Sequence, residues 1–145
     1  MKHIARSAIV EHSVAEMYAL VDNIEAYPRF LPWCRDAQVQ RDEGHITATL
    51  TVGVRGIRQS FTTRNDNRPQ QAIDMHLLQG PFRHFSASWR FKPLAQGCRI
   101  EFSMDYEMAS RTLAKLLAPL FDQIADTMVD AFTRRAEEIY GRPES

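Results

Sequence analysis

The chain has 145 residues, of which 44% are hydrophobic, and it carries 18 basic and 18 acidic residues. This length suits one ordinary domain, and this apolar content supplies a core without metal or disulfide support. We therefore predict one domain over residues 1–145. Zero net charge argues against a nucleic-acid binder held mainly by bulk charge, and we expect no DNA partner, but local basic patches stay open.

Cysteine and targeting patterns indicate a reducing compartment. Cys34 and Cys98 are too few for a disulfide framework, and no Cys or His pair has zinc-ligand spacing, so we predict no metal site. No segment has the apolar stretch of a signal peptide or the roughly 20 apolar residues of a membrane span. The sequence predicts a soluble, cytoplasmic protein without a membrane span, whose only membrane contact would be transient. Its 8 Phe, 4 Tyr, 2 Trp and 6 Met remain to be explained.

The first part of the chain combines one strand with short helical segments. Short, β-branched residues predict a strand over residues 3–10. Ser13 followed by Glu16 has the pattern of a capping box and predicts a short helix from Ser13 to about residue 22. Pro28 and Pro32 then limit any further helix to a turn or two. We predict a rigid aromatic loop there.

Residues 35–107 have the pattern of about six strands separated by turns. Turn-forming Gly, Asn, Asp and Pro clusters recur every 10–15 residues or so, which favours consecutive hairpins. Apolar residues alternate with polar ones, as in the segment from Ile46 to Val54, where every second side chain is apolar. This parity predicts an antiparallel sheet with one apolar and one polar face.

The end of the chain changes to helical periodicity. Apolar residues spaced by threes and fours predict one amphipathic helix over residues 110–140, about 44 Å long, capped by Ser110. Pro119 should kink it, and Gly141, Arg142 and Pro143 should end it. The apolar stripe consists of Leu113, Leu117, Leu120, Phe121, Ile124, Met128, Phe132 and Ile139. One apolar sheet face covered by one helix predicts an α+β two-layer fold.

Several motifs resemble a known family over essentially the whole chain. They are Tyr27-Pro28-Arg29-Phe30-Leu31-Pro32-Trp33-Cys34, Gly80-Pro81-Phe82, Trp89-Arg90-Phe91, Pro119-Leu120-Phe121 and residues 128–136. With these motifs the chain resembles the START-like (SRPBCC, polyketide cyclase/dehydrase-like) superfamily, in its branch of coenzyme-Q-binding and ribosome-association-toxin (RatA) proteins. The resemblance implies the helix-grip fold, a curved antiparallel sheet of about seven strands around a long C-terminal helix, with two short helices after the first strand.

The resemblance implies more than one function. The first hypothesis is a non-enzymatic protein that binds ubiquinone or another isoprenoid lipid, with a role in respiratory quinone function and no required cofactor. The second is a toxin that binds the large ribosomal subunit and blocks 70S formation. The third, a polyketide cyclase-like enzyme, needs an inward acid/base pair, and the sequence offers no convincing one and no catalytic residue.

The predicted ligand site combines the aromatic loop, the inner sheet face and the helix stripe. Each position also has an ordinary structural interpretation, as core or as a plug that closes the open end of the sheet. Because prolines hold the loop, its aromatic side chains would instead form a preorganised lid, with Tyr27 and Trp33 each having one wet and one dry face. The candidate residues are Tyr27, Phe30, Leu31, Trp33, Gln59, Phe61, Met75, Phe82, Trp89, Phe91, Phe102, Met104, Tyr106, Leu117, Leu120, Phe121, Ile124 and Met128.

Two polar features complete the prediction. Gln59 and Thr63 share the inward parity of Phe61, so they either meet a quinone carbonyl or are buried polar side chains that hydrogen-bond to a protein or water partner. A local basic cluster, formed by Arg55, Arg58, Arg64 and Arg68, is either a ribosome or RNA patch or a set of cross-strand ion pairs. The interior volume discriminates between the functions: about 300 Å³ or more supports a ligand, and a packed interior favours the interaction hypothesis.

Overall fold

The computed structural model describes residues 1–141, which form a seven-stranded sheet, two α-helices and one 3₁₀ helix. The strands are β1 Lys2–Val10, β2 Cys34–Asp42, β3 His45–Val54, β4 Ile57–Arg68, β5 Ala72–Gln79, β6 Phe82–Leu94 and β7 Gly97–Met108. The helices are α1 Val14–Asp22, the 3₁₀ helix Ile24–Arg29 and α2 Arg111–Tyr140. This element order confirms the predicted α+β helix-grip fold.

The sheet is antiparallel throughout its pairings, in the order β1-β7-β6-β5-β4-β3-β2. Consecutive hairpins account for β2 to β7, and β1 joins the free side of β7. The predicted parity of β3 is confirmed, because Ala48 and Val52 are buried and the other apolar side chains of that face pack against the core. β1 and β2 are therefore the two edges of the sheet.

Capping interactions fix the helix starts where the sequence predicts them. Ser13 accepts from the backbone N–H of Glu16, and the Glu16 carboxylate accepts from the backbone N–H of Ser13. At the start of α2, the Ser110 hydroxyl accepts from the N–H of Leu113. Each cap satisfies a donor that the helix itself leaves free.

The long helix α2 lies across the inner face of the sheet, and most of its predicted stripe is buried. It continues through Pro119, and its last N–H, from Gly141, bonds to the Glu137 carbonyl at 2.9 Å. Ile139 is an error in the predicted stripe, because its side chain is 49% exposed. Arg142 and Pro143, the remainder of the predicted stop signal, lie outside the described residues.

Candidate functional site

Two clusters of aromatic rings fill the space between the sheet and α2. In the first, Phe132 is surrounded by Tyr27, Phe30 and Trp89, with ring centroids 5.2–5.4 Å away. The second cluster surrounds Phe121 and consists of Phe61, Phe82, Phe85, Tyr106 and Phe121 itself. The many large side chains of the sequence are therefore used mainly for packing between the two layers.

A cavity of about 60 Å³ lies between these two clusters. It is bounded by α1, the 3₁₀ helix, the inner face of the sheet and the middle of α2. Its lining is apolar except for three side chains, Asp22, Thr63 and Asn65, and the hydroxyl of Tyr27. A dry cavity of roughly 150 Å³ is what one benzene ring occupies in a protein core. The interior is thus close to filled.

The structure brings ten of the predicted ligand-site residues together around this cavity. They are Tyr27, Trp33, Phe61, Met75, Trp89, Phe102, Met104, Phe121, Ile124 and Met128. The other eight lie elsewhere in the core or at its margin: Phe30, Leu31, Gln59, Phe82, Phe91, Tyr106, Leu117 and Leu120. Most of these were chosen by strand or helix parity, which gives the face of an element but not the position along it, and Phe30 and Leu31 were chosen as part of the aromatic loop.

Gln59 is the clearest displacement among these eight. Its side chain is half-buried at the rim of the sheet beside Thr49 and Gly80, and it does not line the cavity. The reason is the length of the neighbouring strand: β4 pairs with β5 only from Thr62 onward. Gln59 therefore lies beyond the part of β4 that pairs with β5.

Residues outside the predicted set also line the cavity. Val21, Asp22 and Ile24 reach it from the end of α1 and the start of the 3₁₀ helix, and Asn65 reaches it from β4. Asn65 has the same strand parity as Thr63, so the alternation of β4 could have predicted that its side chain faces inward. The Thr63 hydroxyl donates to the Asn65 side-chain oxygen at 2.8 Å, so the two buried side chains partly satisfy each other.

A polar network closes the cavity at its α1 side. The Asn67 amide nitrogen donates to the Tyr18 hydroxyl and to the Asp22 carboxylate, both at 2.8 Å. Arg41 donates to the backbone carbonyl of Asp22 at 2.9 Å and also pairs with Glu25. Burial raises the pKa of Tyr18, and the Arg41 guanidinium lowers the pKa of Glu25. The network joins α1 and the 3₁₀ helix to β2 and β4.

The aromatic loop is a buried plug in this structure. Tyr27 is 8% exposed and Trp33 is 1% exposed, which corrects the prediction that each has a wet face. The Tyr27 hydroxyl donates to the Val21 carbonyl, and burial raises the pKa of Tyr27. The Trp33 indole N–H donates to the Thr127 hydroxyl of α2 at 3.0 Å. Because both polar tips find protein partners, neither ring needs water.

The predicted cluster of four arginines does not form one free patch. Arg64 pairs with Asp66 at 3.8 Å, and Arg68 pairs with Asp74 of β5 at 3.5 Å. Arg55 and Arg58, at the tip of the β3–β4 hairpin, are exposed and have no ion pair within residues 1–141. The cross-strand alternative therefore holds for Arg68, whose partner Asp74 lies on β5, whereas Arg64 pairs with an acid of its own strand.

The two titratable side chains that line the cavity within residues 1–141 both have protein partners. Asp22 accepts from Asn67 and pairs with Arg41, and the Tyr27 hydroxyl donates to the Val21 carbonyl. Burial raises the pKa of the Cys34 thiol to about 11.

Across residues 1–141, His, Cys, Asp and Glu nowhere gather in a group of three that could hold a metal ion. Within the same range, neither α-helix is long and apolar enough to cross a membrane.

Comparison with known proteins gives consistent matches over most of the chain. Residues 10–133 match the family described as polyketide cyclase / dehydrase and lipid transport. The chain is 40% identical over 142 residues to the ribosome association toxin RatA of Escherichia coli (strain K12), covering 97% of this chain and 90% of that protein. It is 29% identical over 146 residues to the mitochondrial coenzyme Q-binding protein COQ10 homolog B of Xenopus laevis, covering 97% of this chain and 60% of that one.

Solved structures share the fold at lower sequence identity. The Zhui aromatase/cyclase from Streptomyces sp. R1128 superimposes with a TM-score of 0.83 at 17% identity, covering 98% of this chain and 99% of that chain. At this identity the likeness concerns the fold alone, because one fold hosts many unrelated activities.

Proposed function

The chain belongs to the polyketide cyclase / dehydrase and lipid transport family, and from that premise we propose that it is a non-enzymatic protein that binds the large ribosomal subunit and blocks 70S formation. The relative at 40% identity is named as a ribosome association toxin. A cytoplasmic location follows from this proposal, because its target is there.

The observation that carries the proposal is the size of the interior. A cavity of about 60 Å³ is far below the 300 Å³ or so at which ligand pockets begin. A ubiquinone head group is larger than benzene, so its entry would displace several packed rings. A protein whose interior is filled acts through its surface, which is what a ribosome partner requires.

The absence of a usable acid/base pair in the cavity supports a non-enzymatic role. Of residues 1–141, the titratable side chains that line the cavity are Asp22 and Tyr27. Asp22 is fixed by two partners, and the raised pKa of Tyr27 keeps its proton on the hydroxyl. General acid/base catalysis works best with groups whose pKa lies near the working pH and which reach the substrate.

Sucrose-gradient profiles of cells that overproduce the protein test the proposal. We expect a smaller 70S peak and larger free-subunit peaks. Arg55→Gln/Arg58→Gln should weaken the effect more than the matched control Arg64→Gln/Arg68→Gln, because the control arginines already face acids. Unchanged 70S levels with the native sequence would refute the proposed function.

A second candidate, binding of a hydrophobic ligand, is favoured by the chemistry of the cavity lining. Met75, Met104 and Met128 all line it, and methionine adapts its shape to apolar ligands. The relative at 29% identity is named as a coenzyme Q-binding protein. Ubiquinone or another isoprenoid lipid would then enter by displacing these flexible side chains.

Organic extraction with mass spectrometry, together with quinone titration of Trp33 and Trp89 fluorescence, tests this second candidate. Ala87→Val fills part of the cavity that Ala87 lines and serves as the control. Quenching in the native protein that Ala87→Val reduces supports ligand binding. No extracted lipid and no quenching would eliminate this candidate and leave the ribosome proposal unaffected.

A further inference from the structure

A second concave feature lies outside the core, between the aromatic loop and the last turns of α2. We call it the basic groove; it is bounded by residues 28–32 on one side and by residues 127–138 of α2 on the other, and its volume is about 420 Å³. Tyr27 and Trp33 border the cavity, whereas residues 28–32, which lie between them in sequence, border the groove. The aromatic loop therefore contributes residues to both.

Three arginines and one carboxylate set the charge of the basic groove. Arg29 and Arg134 are exposed and have no ion pair within residues 1–141. Arg135 lies deeper: its guanidinium is 5.1 Å from the centre of the Phe30 ring, and it pairs with Glu138 at 3.1 Å. The Arg135 Nε atom is buried and has no hydrogen-bond partner among residues 1–141. The groove thus carries excess positive charge on a protein whose net charge is zero.

The groove is rigid, because packing holds both of its sides. The Phe30 ring meets Phe132 edge to face at 5.2 Å, and Leu31 is fully buried. The hydrogen bond between Trp33 and Thr127 ties the loop directly to α2. Pro28 and Pro32 further restrict the loop backbone. A preformed site loses little conformational freedom when a ligand binds.

The end of the aromatic loop is joined to the β3–β4 hairpin, whose tip carries Arg55 and Arg58. The backbone N–H of Gly53 donates to the Trp33 carbonyl at 2.8 Å, which joins the hairpin to the end of the loop. At the hairpin tip, Arg55 has a φ of 50° and Gly56 a φ of 82°. Asn and Gly are the residues that such a two-residue turn favours. The chain therefore places an exposed arginine in a conformation that this residue type rarely adopts.

We propose that the basic groove binds a phosphate-bearing segment of RNA; the inference rests on the proposed function and assigns its contact with ribosomal RNA. Arg29 and Arg134 would donate to phosphate oxygens, since a guanidinium matches a phosphate with two parallel hydrogen bonds. The apolar walls and the Phe30 ring suit the sugar and base between phosphates, and Arg and aromatic planes are what unstacked RNA bases contact. An acidic peptide would supply negative charge, but its carboxylate side chains carry no flat apolar group to lie against the Phe30 ring and the apolar walls.

Fluorescence anisotropy with a labelled single-stranded oligouridylate tests the groove directly. At about 50 mM salt, we expect Arg29→Glu/Arg134→Glu to weaken binding by roughly tenfold or more, with a shallower salt dependence. The matched control is Arg111→Glu/Lys115→Glu, which changes the net charge by the same amount. Both of these side chains are exposed and lie at the other end of α2. The control should bind within about threefold of the native protein.

Three results of this titration would overturn the inference: no oligouridylate binding by the native protein, equal weakening in both double variants, or competition by polyglutamate as strong as by RNA. Cosedimentation with purified large subunits separates this inference from the proposed function. Subunit binding that survives Arg29→Glu/Arg134→Glu refutes the groove and leaves the ribosome proposal standing. Oligouridylate binding at the groove without subunit binding supports the groove and refutes the ribosome proposal.

Discussion

Replacement of Phe121 by Ala should destabilise the protein strongly, because Phe121 lies at the centre of the second aromatic cluster. It is 1% exposed, and its ring is 5.4 Å from those of both Phe82 and Tyr106. Truncation of a buried Phe to Ala costs about 3–5 kcal/mol, and each lost ring pair adds roughly 0.5–1.5 kcal/mol. We therefore expect a loss of about 5 kcal/mol, a large share of the 5–15 kcal/mol or so that stabilises an ordinary domain.

The assay is urea unfolding at 25 °C followed by circular dichroism, with Leu116→Ala as the control on the same helix. Leu116 is 51% exposed, so its truncation should change the free energy of unfolding by no more than about 0.5 kcal/mol. Because Phe121 lines the cavity, its loss should enlarge the cavity towards the roughly 150 Å³ that holds benzene, and benzene should then raise the Tm of the variant. If Phe121→Ala lowers the free energy of unfolding by less than about 2 kcal/mol, the interior around Phe121 is not tightly packed.

Three further changes test local features of the fold. Pro119→Ala should stabilise the protein by roughly 1–3 kcal/mol in the same urea assay, because it restores a helical N–H in α2; a loss of stability would contradict this. Gly97→Ala should cost several kcal/mol, since its Cβ would lie 2.0 Å from the Val10 carbonyl oxygen, whereas Gly44→Ala, which meets nothing within 4 Å, should cost only about 1 kcal/mol for its positive φ. The Cys34 thiol has its pKa raised from 9.0 to about 11, so the unfolded chain loses this proton first and stability should fall between pH 9 and pH 11. In Cys34→Ala, the free energy of unfolding should fall less steeply with pH across this range, by the contribution of one proton, as measured by urea unfolding at each pH. Identical slopes in the native protein and the variant would contradict the assignment to Cys34.

The fold was predictable because its signals are local. The capping box at Ser13, the turn clusters and the change from alternating to helical periodicity each identify an element without tertiary information. The resemblance of residues 27–34 to a family motif is confirmed by the family match over residues 10–133 and by the relatives. The superimposable structures confirm the helix-grip arrangement.

The site was less predictable, because its properties depend on contacts between distant elements. Alternation identifies the face on which Gln59 lies but not where the neighbouring strand β5 ends. The pairing of Arg68 with Asp74 depends on which strand lies beside β4. The cavity volume depends on how aromatic rings from distant elements pack together, and no local sequence pattern predicts it. The same limit applies to the basic groove, whose two walls are about 100 residues apart in sequence.

Subunit joining in vitro tests the central claim most directly. Purified 30S and 50S subunits are mixed by stopped flow with and without the lipid-extracted protein, and 70S formation is followed by light scattering. We expect the protein to lower both the rate and the extent of 70S formation in proportion to its ratio to 50S subunits, without added quinone. A 70S signal that rises as fast and as far in its presence as in its absence would contradict the proposed function.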